Sequence, residues 1–170
     1  MRDIIGSIER EFRRYKELAE GAMRQIGESE LNAVSPGFDN SIAILVWHIS
    51  GNLKSRFTEF LTSDGEKPWR GRDEEFVPRS VSLAALLEKW DEGWSVLLIA
   101  LTALTDDDLK RTVTIRKQPM PACEALHRSL GHISYHVGQI VYIAKSARGV
   151  AWTFMSIPPG KSEEYNKSRS

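Results

Sequence analysis

Apolar residues recur with helical spacing in four long stretches of this chain, and the intervals between them are polar and rich in turn formers. From Arg2 to Ile26 the positions Ile4, Ile5, Ile8, Phe12, Tyr15, Leu18, Ala19, Ala22 and Ile26 form one stripe, with Glu9, Arg10, Arg13, Arg14, Lys16 and Glu17 opposite. Gly27 and the turn-rich Ser35-Pro36-Gly37 close this first helix. The second opens at Asp39-Asn40-Ser41, all good N-cap types, and carries Ile42, Leu45, Val46, Ile49, Leu53, Phe57 and Phe60 toward Leu61. The third begins at Ser80 or Ser82 and runs to Leu104, its face built from leucines and from Trp90 and Trp94, which read as core. The fourth spans Pro121 to Arg148 on Ala122, Leu126, Ser129, Ile133, Val137, Ile140 and Ala144, with Pro121 suited to its first position.

The intervals are less regular. Residues 63–79 show no period, and a loop of that length in a small domain is often functional. In it, Trp69 with Arg70 and Arg72 either gates or binds an anionic ligand, or Trp69 merely pins the loop. Thr105 through Asp108 caps a short turn. Arg111 to Arg116 alternates like a short strand, turned by Lys117-Gln118-Pro119. After Gly149 the apolar Trp152, Phe154 and Met155 pack across the helices, and the last residues are expected to be mobile. The pattern predicts an all-α chain, a four-helix bundle with a short β-like turn before the last helix, forming one domain over residues 1–170.

Composition narrows the class. Lysine plus arginine and aspartate plus glutamate both number 23, so no net charge draws the chain to nucleic acid. No apolar run reaches the roughly 18 residues of a membrane span. The start Met1-Arg2-Asp3-Ile4-Ile5-Gly6 reads as a charged helix opening rather than a signal peptide. One cysteine, Cys123, precludes an internal disulfide framework and fits a reducing, cytoplasmic setting; it reads as a small buried residue. The long first helix and the zero net charge suggest a homodimer.

The chemistry lies in His132-Ile133-Ser134-Tyr135-His136. Histidines four apart on a helix sit about 40° apart around its axis, so both imidazoles can point at one ion. Helical His-x-x-x-His is a recurrent source of two of the three protein ligands of a catalytic zinc-type site, and the same spacing equally fits two separate histidines at the edge of the core. The metalloprotease version places a glutamate directly after the first histidine; here that place is Ile133. His127 lies about 140° from His132 and should face solvent. That leaves His48 as the third candidate. On its helix it sits well to one side of the apolar stripe, near Ser41, Asn52, Ser55 and Glu59, which reads either as a solvated face or as a strip facing a cleft.

Leu45-Val46-Trp47-His48-Ile49-Ser50-Gly51-Asn52 and His132-Ile133-Ser134-Tyr135-His136-Val137-Gly138-Gln139-Ile140 together resemble the DinB-like superfamily of bacterial metal-binding four-helix bundles. The segments from Asp64 to Trp69 and from Ser156 to Asn166 resemble a subgroup of it described only as a domain of unknown function. The resemblance implies a divalent metal, zinc or nickel, held by His48, His132 and His136, and it turns His48 from a solvated residue into a ligand. It also implies that the homodimer is common. Asn52, Gln139, Tyr135 and Arg128 are the candidates to support the ligands or meet a substrate. Some relatives are transferases or isomerases that use a low-molecular-weight thiol, and others resemble hydrolases. Three neutral imidazoles leave the metal its double charge and an open position, which can lower a bound water's pKa to about 7 or activate a thiolate. The expectations are therefore a metal-dependent thiol S-transferase acting on a small electrophile, a metal-dependent hydrolase, or a non-catalytic, stress-related binding or assembly bundle. Glu59, about three turns from His48, is not an assured general base.

Overall fold

The computed structural model describes residues 1–34 and 39–168; the turn expected at Ser35-Pro36-Gly37 lies outside the described residues. The chain is mostly helical. Four long helices carry the core: α1 (Asp3–Met23), α3 (Ile42–Phe57), α4 (Leu83–Ala103) and α5 (Ala122–Arg148). A short α2 (Glu28–Asn32) follows α1, a two-stranded hairpin of β1 (Thr112–Ile115) and β2 (Gln118–Pro121) precedes α5, and α6 (Ser162–Lys167) stands near the end. Helix α3 packs most extensively on α4, and α1 on α5; α3 also meets α5, and α1 meets α4.

The stripes read from the sequence are largely the buried faces, but Ile4, counted in the stripe of α1, is 57% exposed. Ile5, Phe12, Ala19 and Ala22 of α1, Leu45, Ile49 and Leu53 of α3, Trp90, Trp94 and Leu97 of α4, and Ile133, Val137 and Ile140 of α5 share one apolar cluster. Side-chain caps set two of the starts: the Ser41 hydroxyl accepts from the Ile44 amide at 3.2 Å, and Ser82 does the same for Ala85 at 3.2 Å. The start of α1 is capped from afar, since the Asp106 carboxylate accepts from the amides of Asp3 and Ile5 at 2.8 and 2.9 Å.

Several boundaries differ from the sequence reading. Helix α1 stops at Met23, and Gly27 serves as the N-cap of α2, whose Leu31 is buried. Helix α3 ends at Phe57, because Glu59 turns into the left-handed region (φ 51°). The hairpin turns on Arg116 and Lys117, both at positive φ (54° and 61°), as a two-residue turn of this hand requires, so Gln118-Pro119 belongs to β2 rather than to the turn. Neither turn residue is glycine. The Asp64 carboxylate accepts from both amides at 2.9 and 2.7 Å and holds them in that conformation. Pro121 pairs with Thr112 and caps α5 instead of occupying its first position. The tail packs along α1 through Met155, and Gln25 and Thr153 bond reciprocally at 3.0 and 2.8 Å; beyond it α6 is a short exposed helix.

The α3–α4 contact is tight at one point. A methyl group on Gly93 would lie 2.5 Å from the Ser50 Cα and 2.9 Å from its carbonyl oxygen, so the two backbones meet where only hydrogen fits. This crossing fixes the turn of α3 that carries His48. Helix propensity alone favours alanine over glycine by about 1 kcal/mol. The clash with rigid backbone should outweigh it, and Gly93→Ala is expected to lose about 1–3 kcal/mol in urea denaturation. A stabilised Gly93→Ala protein would contradict so close a crossing.

Candidate metal centre

Helix α3 presents His48, and α5 presents His132 and His136 one turn apart. The three imidazoles meet. His132 Nε2 lies 3.1 Å from His48 Nε2 and 3.1 Å from His136 Nε2, and the rings stand nearly perpendicular to one another. His127 points to solvent, as its helical phase requires. His48 is only 5% exposed, although its position on α3 lies off the apolar stripe. The loop between α3 and α4 explains the difference. Its 3-10 turn, Asp73–Phe76, folds back over this face of α3, laying the Phe76 ring 4.7 Å from the His48 ring.

The same turn brings in Glu75, which the sequence reading did not single out. Its buried carboxylate lies 2.9 Å from His48 Nδ1 and accepts two hydrogen bonds from Arg70, at 2.7 Å from Nε and 2.9 Å from Nη2. Burial works to raise the Glu75 pKa. The His48 hydrogen bond and the bonds and charge of Arg70 outweigh it and hold the carboxyl below the usual glutamate range. The approach depends on Gly51: a Cβ there would sit 2.1 Å from Glu75 Oε1 and 2.7 Å from its carboxyl carbon.

These contacts fix protons. An ionised carboxylate only accepts, so His48 carries a hydrogen on Nδ1, and in the neutral ring Nε2 is then a bare lone pair. His136 Nδ1 lies 2.7 Å from Gln139 Oε1, a carbonyl-type acceptor, which places its hydrogen on Nδ1 too. Two lone pairs therefore face His132 Nε2, whose one possible hydrogen cannot be fully shared with both. His132 Nδ1 is buried without a hydrogen-bond partner among the described residues. Burial and then the neighbouring charges of His136, His48, Arg70 and Arg56 push the His132 pKa down to about 3; burial likewise lowers that of His136. Both rings are neutral at pH 7.

This donor set fits a divalent cation. Nitrogen–metal bonds of about 2.0–2.1 Å at tetrahedral angles put neighbouring nitrogens about 3.3 Å apart, close to the two measured edges. Two of the three histidines also have the far nitrogen tied to an acceptor, the arrangement that orients metal-binding histidines.

The other predicted residues are distributed around this cluster. Gln139 holds His136, as described. Asn52 and Arg128 line a cleft of about 190 Å³ that opens beside His48 and His132. Tyr135 is 64% exposed and touches the site only by its ring, edge-on to His136 at 5.0 Å. Glu59 is exposed and Cys123 half-buried; neither lines the cleft. Trp69 is 55% exposed and does not line the cleft, whereas Arg70 and Arg72 do. The loop is held instead by Ser55, whose hydroxyl donates to the Gly65 carbonyl at 2.7 Å and accepts from the Lys67 amide at 3.1 Å.

The proton assignment is directly measurable. Long-range ¹H–¹⁵N spectra of chelator-treated protein at pH 7 should show His48 and His136 as Nδ1–H tautomers. An Nε2–H tautomer for His48 would contradict the geometry.

No curated protein and no solved structure matches the chain. A family model described as "Protein of unknown function (DUF1572)" matches residues 2–161, and the chain belongs to that family.

Proposed function

We propose that the chain is a DinB-like four-helix bundle whose His48, His132 and His136 hold one divalent metal, zinc or nickel, through their Nε2 atoms. One observation carries this reading. Two imidazole lone pairs, fixed by the Glu75 and Gln139 contacts, converge on a third imidazole nitrogen, and a shared cation satisfies all three at once. Without a cation at least one lone pair stays unpaired in a largely desolvated site, which costs about 1–3 kcal/mol.

The reaction we assign is transfer of a small thiol to an electrophile, with hydrolysis as the lesser reading. A metal held by three neutral ligands supplies Lewis acidity and favours the ionised form of a nucleophile. The chain's own groups favour sulfur over water. Among the described residues no carboxylate lines the cleft, and Glu75 is fully engaged with His48 and Arg70. A water nucleophile needs a nearby group to accept its proton. A thiol beside guanidinium groups ionises near neutral pH and releases its proton to solvent. Its sulfur then forms the new bond to carbon while the leaving group departs with its electron pair. Arg56 and Arg128, which line the cleft with His132, provide that cationic surround.

Two tests follow. Protein purified without a metal-affinity step should contain about one zinc or nickel per chain by elemental analysis. His48→Ala, His132→Ala or His136→Ala should abolish that content, and His127→Ala should leave it intact. Gly51→Ala, which forces Glu75 off His48, should weaken metal binding about 10–100-fold. Wild-type protein without stoichiometric metal, or His127→Ala as metal-poor as His132→Ala, would refute the centre. The apolar core is untouched by these changes, so the folded state should persist. With free metal at 100 times its Kd, the bound ion should add about 2.7 kcal/mol of stability to wild type alone.

For the reaction, metal-loaded protein is mixed with a panel of low-molecular-weight thiols and a general electrophile. Turnover should appear in wild type and vanish in His136→Ala. Equal rates in both would exclude a part for the metal, and no turnover with any thiol or simple ester would favour a binding role.

A further inference from the structure

The cleft beside the three histidines is lined by five arginines, Arg56, Arg70, Arg72, Arg116 and Arg128, and by no acidic residue. Their acidic partners offset only part of this charge. Arg70 is spent on Glu75, and Arg56 and Arg116 share the single carboxylate of Glu66 at 3.2 and 2.9 Å. Among the described residues the one acidic partner of Arg72 is Asp73, at 3.6 Å on the open surface, and its guanidinium lies 5.0 Å over the Phe76 ring. Arg128 has no hydrogen-bond or ion-pair partner among the described residues.

Two of the guanidiniums are set into the protein, with 2% of the Arg70 side chain and 14% of the Arg56 side chain exposed. Burying like charges together is unfavourable. Burial pushes the Arg56 pKa down; Glu66 opposes this, while the charges of Arg70 and Arg116 add to it. Ser129, also lining the cleft, has a buried hydroxyl without a hydrogen-bond partner among the described residues, as does His132 Nδ1. The remaining wall is apolar, built from Phe57, Phe60, Ile115 and Ala125.

We propose that the cleft binds a small organic oxyanion, a carboxylate or a phosphate on an apolar body, and that one of the two reactants at the histidine centre carries this group. The inference rests on the proposed metal centre for its reactive end but not for its binding. Arg128 is free to close on the anion, and Arg116 and Arg56, which share one carboxylate between two guanidiniums, add their remaining charge; guanidinium forks match the two oxygens of a carboxylate or phosphate. Phe57, Phe60 and Ile115 cover the apolar body. At about 190 Å³ the cleft lies below the roughly 300 Å³ at which pockets for drug-sized ligands begin, so the ligand is small. A neutral ligand would leave the guanidinium repulsion in place, and a cationic one would add to it.

Isothermal titration with benzoate, phenyl phosphate and the uncharged benzamide tests this, on metal-loaded and on chelator-treated protein. At least one anion should bind both forms, and benzamide should bind at least tenfold more weakly. Arg128→Gln, at an exposed position of α5, should reduce anion affinity about tenfold, the loss of one charge-assisted bond. Circular dichroism checks that this variant is folded, and Arg116→Gln provides a second site with the same expectation. Preference for benzoate assigns a carboxylate, and preference for phenyl phosphate assigns a phosphate. Benzamide binding as tightly as the anions, absence of anion binding, or unchanged anion affinity in both variants would overturn the proposal. Anion binding by a chain that holds no metal would refute the metal centre alone, whereas one metal per chain without anion binding would refute the anion cleft alone.

Discussion

The site depends on one buried contact, the Glu75 carboxylate on His48 Nδ1. It decides which nitrogen of His48 carries the hydrogen, and so which nitrogen faces His132. A buried carboxylate would normally take up a proton or pull away. Here Arg70 answers it with two hydrogen bonds, and the carboxyl stays ionised. His48 is thereby oriented from behind, with its lone pair presented forward. Gln139 does the same for His136 with a neutral acceptor. The one ring without such support is His132, which sits between the other two.

Two glycines allow this arrangement. Gly93 lets α4 approach the backbone of α3 at Ser50, and Gly51, one residue on, lets the carboxylate reach His48. Both lie inside helices, where glycine costs about 1 kcal/mol relative to alanine. The stability given up by each is small beside the clash that a methyl group would cause. The loop from Ser63 to Arg79 is likewise ordered by its own polar contacts: Ser55 grips Gly65 and Lys67, and Asp64 binds both amides of the hairpin turn. The hairpin and the loop are tied together, and both contribute cleft residues, Ile115 and Arg116 from one and Arg70 and Arg72 from the other.

Much of this was legible in the sequence because helices write their partners into a period. Apart from Ile4, which is exposed, the stripes of α1, α3, α4 and α5 lie on the buried faces, and the four-residue step from His132 to His136 placed both imidazoles on one side of α5. What the period could not convey was what lies against a helix from elsewhere in the chain. His48 falls outside the stripe of α3 because its cover is polar: a carboxylate from a loop 27 residues away. No local pattern marks Glu75. A signal did exist in Gly51, a glycine in mid-helix beside a candidate ligand, which points to a close approach. The hairpin turn was read one residue late and one residue too long for a similar reason. Arg116 and Lys117 are poor choices for positive φ, and the acceptor that holds them there, Asp64, is distant in sequence.

The central claim is that three imidazoles bind one cation through Nε2. Anomalous diffraction from crystals grown with zinc, collected above and below the zinc edge, tests it without reference to activity. A single strong peak should lie between the Nε2 atoms of His48, His132 and His136, about 2.0–2.1 Å from each. A peak at Cys123 or at surface carboxylates, with none between the three rings, would contradict it.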